Sequence, residues 1–578
     1  MKKFSLVLGF VFTFSIPAFS QLKHDNIWTM GYGKIGQNSG GNQFGGVIMD
    51  FSTTTPTFSL IDYIFRRPKA AIADKNGQLV AYTNGCMIVN RNHELMVNGD
   101  TLNPGAVFEE FCDNGDYPLW QPTLFLPKPG SDSLYYLFHL RDDDYLWNPM
   151  NLMYSIVDAS AAGGDGAVIS KNNSVLSDSA FLGSYVTATR HANGRDWWVL
   201  VPRRYSNNKH VTLLNPEGVE YMGMQNLDSL GIEIDSPYCC SQTAFSADGS
   251  KYFHNSPKNL LMLDFDRCTG ILSNPVRLDW DSVPFGGAGV ATSPNSRYLY
   301  LSSGGTVQQY DLWAPNLAAS MQVVVEYDGF LAPFPANFFQ MMPGPDGKIY
   351  IITSYSNNIL HVIHNPNERG LACNVEQHAI TLPALQSYFI NNFANYNLGP
   401  IDGSPCDTLE INNLPIARFY WNVVDTLSPL QVAFTDYSYH APSTWHWDFG
   451  DGTSSQDTSP VHLYAASGIY TVCLAVCNAN ACDTVCHEVE VEALSTFTLQ
   501  GESTQALMWP NPVRDVLNLQ SSIPLELITF YDLTGKEVLL QTASKEQETV
   551  NVRHLSAGLY FVALQAGGKL WTGKFVKE

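Results

Sequence analysis

Apolar and polar positions alternate in short runs through most of the chain, and Gly, Asp, Asn and Ser break the runs. That period of two predicts β-strands with one buried face, joined by tight turns. Between residues 24 and about 400 the pattern recurs as strand, turn, strand. The instances are AIADKNGQLVAY (71–82), LFLPKPGSDSLYYLF (124–138), TATRHANGRDWWVLV (187–201), AFSADGSKYF (244–253), ATSPNSRYLYL (291–301) and QMMPGPDGKIYII (340–352). With Gly77, Ser131, Gly194, Gly249, Ser296 and Gly347 as markers, the steps are 54, 63, 55, 47 and 51 residues. A period near 50 residues, with room for four strands, predicts an all-β fold with a β-propeller over 21–400. Six inner turns accompany seven outer strand pairs. The extra pair, FGGVIMDFSTTTPTFSLI (44–61), lacks an inner strand, and SYFINNFANYNLG (387–399) is the candidate to join it. That closure removes exposed sheet edges and makes seven blades the expected count. Six or eight blades, a β-solenoid and two sandwiches are the alternatives.

Composition narrows the function classes. Hydrophobic residues make up 45% and aromatics 12%, enough for several globular cores. A net charge of −22 argues against nucleic acid, whose phosphates need Lys and Arg, and against anionic membrane surfaces. It leaves room for cationic partners or calcium. Lys2 and Lys3 precede an apolar run, Leu6 to Ile16, and then Ala18-Phe19-Ser20. This order predicts a signal peptide, 1–20, cleaved between Ser20 and Gln21. The run is too short for a bilayer core of about 30 Å, and no later apolar stretch is long enough, so no membrane span is expected. The expected route is through the periplasm to the outer surface or medium.

Export favours disulfides among the eleven cysteines. In YTVCLAVCNANACDTVC (470–486), Cys477 and Cys482 flank a four-residue loop, and their indices sum to 959. Cys473 and Cys486 give the same sum, so both pairs sit opposite each other on one hairpin face. Disulfides Cys473–Cys486 and Cys477–Cys482 are expected, with a site of four thiolates as the rival. The other seven cysteines are odd in number, so at least one lacks an intrachain partner.

Beyond the propeller, residues 406–493 hold eleven acidic residues against Arg418 alone. Residues 494–505 read as a polar linker, and 505–578 balance seven basic against seven acidic residues. Within the acidic module, WHWDFGDGTSS (445–455) places Trp445, Trp447 and Phe449 on one strand face and His446 and Asp448 on the other. Gly450, Asp451 and Gly452 then supply a turn, whose N–H groups the carboxylates accept from. A calcium site at Asp448 and Asp451 is the alternative. Together with PVHLYAASGIYTVCLAV (460–476), the stretch resembles a PKD domain, an immunoglobulin-like β-sandwich, on Trp447, Phe449, Gly450, Asp451 and Gly452. The resemblance implies a spacer or binding module over 406–493. WPNPVRDVLNL (509–519), FYDLTGKEVL (530–539), LSAGLYFVAL (555–564) and GKLWTGKFVKE (568–578) resemble the type A sorting domain of type IX secretion in Bacteroidota. That resemblance implies a second small sandwich over 506–578 and the type IX machinery as partner. NIWTMGYG (26–33), DKNGQLVAYTNGCMIVNRNHELM (74–96) and HVIHNPNERGLACN (361–374) resemble propeller repeats of exported Bacteroidota proteins.

Catalytic signatures are sparse. The chain has no G-x-S-x-G elbow, no H-E-x-x-H and no G-x-x-x-x-G-K-[ST]. Asp142, Asp143 and Asp144 are further calcium candidates in a polar run. Tyr117, Trp120, Tyr145 and Trp147 fall in long inter-strand segments, where rings can stack on sugars or grip a peptide. Core packing is their bland reading. The sequence therefore favours a secreted or surface binding or adhesion protein without catalytic residues or cofactor, the propeller recognising a glycan or protein and the PKD module acting as spacer. A secreted propeller glycan hydrolase or lyase, with PKD as accessory, is the alternative.

Overall fold

The computed structural model describes residues 22–577 except 36–37, 40–41, 54, 68, 116, 144–148, 179–184, 205, 228–241, 257–258, 280–288, 332, 388, 425–429, 492–496, 500–505, 533–534 and 557. Among the described residues, seven antiparallel sheets of three or four strands follow one another between Ile27 and Thr381, with a two-stranded ribbon, Asn38–Ser39 and Asn42–Gln43, inside the first. The first holds Ile27–Tyr32, Gly45–Asp50 and Thr57–Ile61, and the second Ala70–Ala73, Leu79–Thr83 and Ile88–Asn90. The remaining five have four strands each, opening with Thr123–Pro127, Thr187–Arg190, Gln242–Phe245, Val290–Thr292 and Phe338–Pro343. The six marker residues all lie in the turns that join the first two strands of sheets two to seven. These inner strands are almost wholly buried and carry runs such as Ala70–Ala73 and Trp197–Pro202 without polar alternation, because both faces pack against neighbouring sheets. The fold is a β-propeller.

The described residues of 386–399 join no ladder. They run antiparallel beside Ile27–Tyr32, in the innermost position of the first sheet. Ser387 N–H donates to Gly31 O (3.3 Å), and Asn391 Oδ1 accepts from Thr29 N–H (2.9 Å). The Phe393 ring meets Trp28 at 5.9 Å and Tyr396 meets His24 at 5.4 Å. The expected inner strand is thus present as a filament held by side chains, not as a paired strand. Hydrophobic packing completes the closure: Trp28 is fully buried and touches Phe51 of the first sheet (5.1 Å), Tyr350 of the seventh (5.3 Å) and Phe393. Burying a ring of this size contributes roughly 2–3 kcal/mol.

The PKD sandwich pairs Phe419–Val423, Gln431–Asp436 and Val461–Leu463 in one sheet. The other holds Ser454–Ser455, Thr444–Asp448, Gly468–Cys477 and Cys482–Val491. Its core stacks Phe419 and Phe434 against Trp447 (5.0 and 5.6 Å). Cys473–Cys486 and Cys477–Cys482 are disulfides with Cα separations of 4.1 and 4.0 Å, the close spacing of rungs without hydrogen bonds. Cys86–Cys112 and Cys268–Cys406 are also bridged, and Cys373 is a buried free thiol. Cys239 and Cys240 lie outside the described residues.

The C-terminal sandwich packs Phe497–Leu499, Ala506–Trp509, Val516–Ser521 and Gln547–Asn551 on Glu537–Thr542, Leu527–Tyr531, Gly558–Ala566 and Lys569–Lys577. The linker expected at 494–505 is corrected in part. Phe497–Leu499 pairs with Ala506–Trp509, so three of its residues belong to the sandwich. A strand that short gives no period to read in sequence.

Candidate functional site

The propeller axis is the natural place for a site, and the filament fills it. The run NNFANYN, 391–397, spends its side chains on the inner strands around it. Asn392 Nδ2 donates to Thr123 O (3.1 Å) and Val186 O (2.7 Å), while its Oδ1 accepts from Gln121 (2.8 Å). Asn395 donates to Ala247 O (2.7 Å), and Tyr396 Oη to Phe125 O (2.9 Å). Cations do the same. Lys69 Nζ donates to Ser387 Oγ (2.7 Å) and Phe389 O (2.8 Å), and Arg190 to Tyr396 O (2.9 Å). Arg190 also lies over the Trp197 ring at 3.7 Å. These groups were missed in the sequence; the asparagine-rich run was the available signal.

Two cavities bear on function. One, of ≈ 100 Å³, lies beside the filament between Thr189, Thr243, Thr292, Met341 and Asn395. It is below the roughly 300–1,000 Å³ of small-molecule sites. The second is an open groove of ≈ 680 Å³ between Gly218–Gln225 and Ile271–Asp279, the outer strands of the fourth and fifth sheets. Met222, Met224, Ile271 and Pro275 line it, and no lining residue is an acid, a base or a cysteine.

The two ends of the axis differ. The turns joining first and second strands run five or six residues, as at 74–78 and 191–196. On the opposite face, connectors between sheets run from eight residues (62–69) to thirty-two (91–122). The filament starts at this loop face, where Gln386 N–H donates to Asn357 O (2.9 Å). It leaves on the turn face. A Cβ on Gly194 (φ +76°) would meet Pro400 Cδ at 2.6 Å, so only glycine lets the chain out there. Cys406 is then bridged to Cys268.

The aromatic candidates divide. Trp120 sits at the loop face with its ring edge-on to Phe389 at 5.1 Å. Tyr117 is corrected: it is fully buried, its hydroxyl donating to Asp142 O (3.1 Å) and accepting from Asp142 N–H (2.9 Å). Burial pushes that hydroxyl's pKa well up. Tyr145, Trp147 and Asp144 lie outside the described residues, as does the Ser20–Gln21 cleavage. The loop face instead exposes Phe330, Leu331 and Phe334, by 43, 63 and 49%. The apolar run GFLAPFP, 329–335, between two strands was the overlooked signal.

The acidic candidates serve the chain itself. Asp143 is held by Arg141 (2.8 Å) and Asn151 (2.8 Å), and Asp142 is 1% exposed. In the PKD stretch Trp447 and Phe449 are buried and His446 and Asp448 exposed, the alternation expected. Asp448 Oδ1 accepts from Gly450 N–H (3.0 Å). Asp451 Oδ1 accepts from Thr453 N–H (3.0 Å) and Oγ1 (2.6 Å), and Oδ2 faces His462 Nε2 at 2.7 Å. Desolvation raises the Asp451 pKa, but the Thr453 hydroxyl and His462 outweigh it and hold the carboxyl below its ordinary range. Among the described residues, no three His, Cys, Asp or Glu side chains converge on a metal-sized point.

Comparison with known proteins follows the module boundaries. The secretion system C-terminal sorting domain family matches residues 507–578, and the PKD domain family matches 414–493. Among solved structures, the chain is similar to the PKD1 domain of Vibrio anguillarum Epp, with 31% identity over 14% of this chain and 98% of that one, at a TM-score of 0.13. It is similar to PorZ, a surface component of the type IX secretion system of Porphyromonas gingivalis, with 12% identity over 92% of this chain and 69% of that one, at a TM-score of 0.27. A third similarity is to an exo-β-1,3-galactanase from Phanerochaete chrysosporium, with 10% identity over 80% of this chain and 97% of that one, at a TM-score of 0.28. No curated protein matches the chain. No helix of the described residues is long and apolar enough to cross a membrane. The chain is an exported β-propeller protein, secreted or held at the cell surface, that carries a PKD domain and a type IX secretion C-terminal sorting domain.

Proposed function

We propose that the chain is a non-enzymatic binding or adhesion protein whose propeller presents its loop face to a glycan or protein ligand, with the PKD domain as spacer. The observation that carries this reading is the size and lining of the two cavities found among the described residues. The groove of ≈ 680 Å³ has no titratable lining, and the axial one, ≈ 100 Å³, is too small. General acid–base catalysis needs two titratable groups converging where a substrate fits. The cations nearest the axis are spent on Phe389 O and Tyr396 O. The long connectors and the apolar tip Phe330, Leu331 and Phe334 supply the contact area.

The test is a glycan array and a direct binding assay on the full secreted chain, with and without calcium. Truncation at residue 400 would remove Cys406 and its bridge. Binding should fall at least tenfold in Leu331→Ser/Phe334→Ser and stay within twofold when calcium is chelated. Cleavage of any polysaccharide by the purified chain would overturn the reading.

A further inference from the structure

The two outer faces of the C-terminal sandwich differ in chemistry. Strand register fixes which residues share each face. On the sheet built from the last strands, Ile528, Phe530, Val562, Leu564, Trp571 and Phe575 point into the core. Their neighbours point out, in cross-strand rows. Leu540 faces Thr529, which faces Ala563; Tyr531 faces Phe561, which faces Lys574. Gln565 faces Leu570, and Leu559 faces Val576. Leu540, Phe561, Leu570 and Val576 are exposed by 52, 43, 52 and 40%. The outer face of the other sheet reads Trp509, Asn518, Thr549 and Leu507, Gln520, Gln547 across its rows, with Trp509 buried, Leu507 half-buried and Val516, 39% exposed, at its end. A small sandwich needs only its inner faces to fold. Four large apolar side chains spread over one outer face need another explanation, and a binding surface is the usual one.

Charge says what kind of surface covers this face. The sandwich is neutral, seven basic residues against seven acidic, in a chain of net charge −22. The PKD domain before it carries eleven acidic residues against one basic. One row runs Glu537, Tyr531, Phe561, Lys574, so the acid sits at one edge of the apolar face and the cation at the other. A partner with an apolar centre and a carboxylate on the Lys574 edge would fit this face and be repelled by the acidic PKD sandwich. We propose that the secretion machinery recognises the chain by docking an apolar surface on Leu540, Phe561, Leu570 and Val576, with a carboxylate of that surface paired to Lys574. The proposal rests on the sorting-domain match and adds to it the face that is read.

The experiment expresses the full chain in a bacterium with an active type IX system and measures exported against cell-retained protein. Each variant is purified and its thermal midpoint recorded. Leu570→Asp and Phe561→Asp should each cut export at least tenfold while leaving a folded chain. Val516→Asp on the opposite face should export within twofold of the parent. Lys574→Glu reverses the charge without touching the core and should reduce export severalfold; it decides the matter where an apolar variant does not fold. Normal export of a folded Leu570→Asp and of Lys574→Glu would overturn the proposal. So would an equal block by Val516→Asp, which would place recognition elsewhere on the domain.

Discussion

The propeller and the PKD domain close their folds by opposite means. The propeller ends in a filament whose side chains reach distant parts of the chain, Asn392 to Val186 across 206 residues and Asn391 to Thr29 across 362. The PKD domain ends in one hairpin, closed by disulfides spanning 13 and 5 residues. Closure by buried polar groups holds only while every donor and acceptor keeps its partner and its protonation state. Covalent closure of a local loop is indifferent to pH. The contrast therefore predicts different failure modes for two domains of one chain.

The largest difference should appear on acidification. Burial pushes the His24 imidazole down to about 4, and those of His139, His254 and His361 to about 3. In the unfolded chain such rings protonate below about 6.5. Between those values the unfolded state binds more protons, so stability is full above pH 6.5 and lost as pH falls towards the folded values. At pH 5 each ring costs about 2 kcal/mol, and the four together about 8 kcal/mol. Urea midpoints at pH 7.5 and 5.0, with peptide-resolved hydrogen exchange, should assign that loss to residues 22–400. His361→Gln should remove about a quarter of the pH dependence. A loss shared equally with the PKD domain would break the contrast.

Next in size is the one covalent tie on the filament side. Cys268–Cys406 spans 138 residues. In the chain-entropy account, closing a loop of that length is worth about 4–5 kcal/mol. Cys268→Ser/Cys406→Ser should lower the propeller's urea midpoint accordingly and leave the PKD domain unmoved. Asn392→Leu comes third. It withdraws a buried donor from Thr123 O and Val186 O and an acceptor from Gln121, at a cost of about 3 kcal/mol. A change under about 1 kcal/mol would mean that water replaces the amide and that the filament is dispensable to closure.

Legibility in sequence followed the same division. The hairpin pairs were readable because antiparallel partners keep a constant index sum, and local register needs no knowledge of the rest of the fold. The strand–turn–strand repeats were readable because Gly77, Gly194 and Gly347 adopt positive φ in their turns. The filament's place beside Ile27–Tyr32 was inferred from a missing strand, but its manner of binding was not. Asparagine side chains that bond backbone carbonyls of distant sheets leave no periodicity. Tyr117 misled for a related reason: an aromatic in a long loop reads as a ligand platform until burial is known. Phe330, Leu331 and Phe334 went unnoticed because apolar residues between strands resemble a continuation of the core.

The smallest effect should come from the inner PKD bridge. Removing Cys477–Cys482 frees a loop of about six residues, worth about 2 kcal/mol at most. The turn has its own supports: Asn478 N–H donates to Ala481 O (3.0 Å), and Asn478 Oδ1 accepts from Asn480 N–H (2.9 Å) and Ala481 N–H (3.2 Å). The outer bridge, Cys473–Cys486, still fixes the register two rungs away. Cys477→Ala/Cys482→Ala should therefore raise hydrogen exchange at 478–481 while the strands on either side keep their protection. The PKD core around Trp447 should stay folded, because its rings are held by Phe419 and Phe434 rather than by the hairpin tip. Global loss of protection across 419–491 would show that the tip organises the whole sandwich. Closure of the PKD domain would then be as long-range as that of the propeller, and the difference between them would be one of chemistry alone.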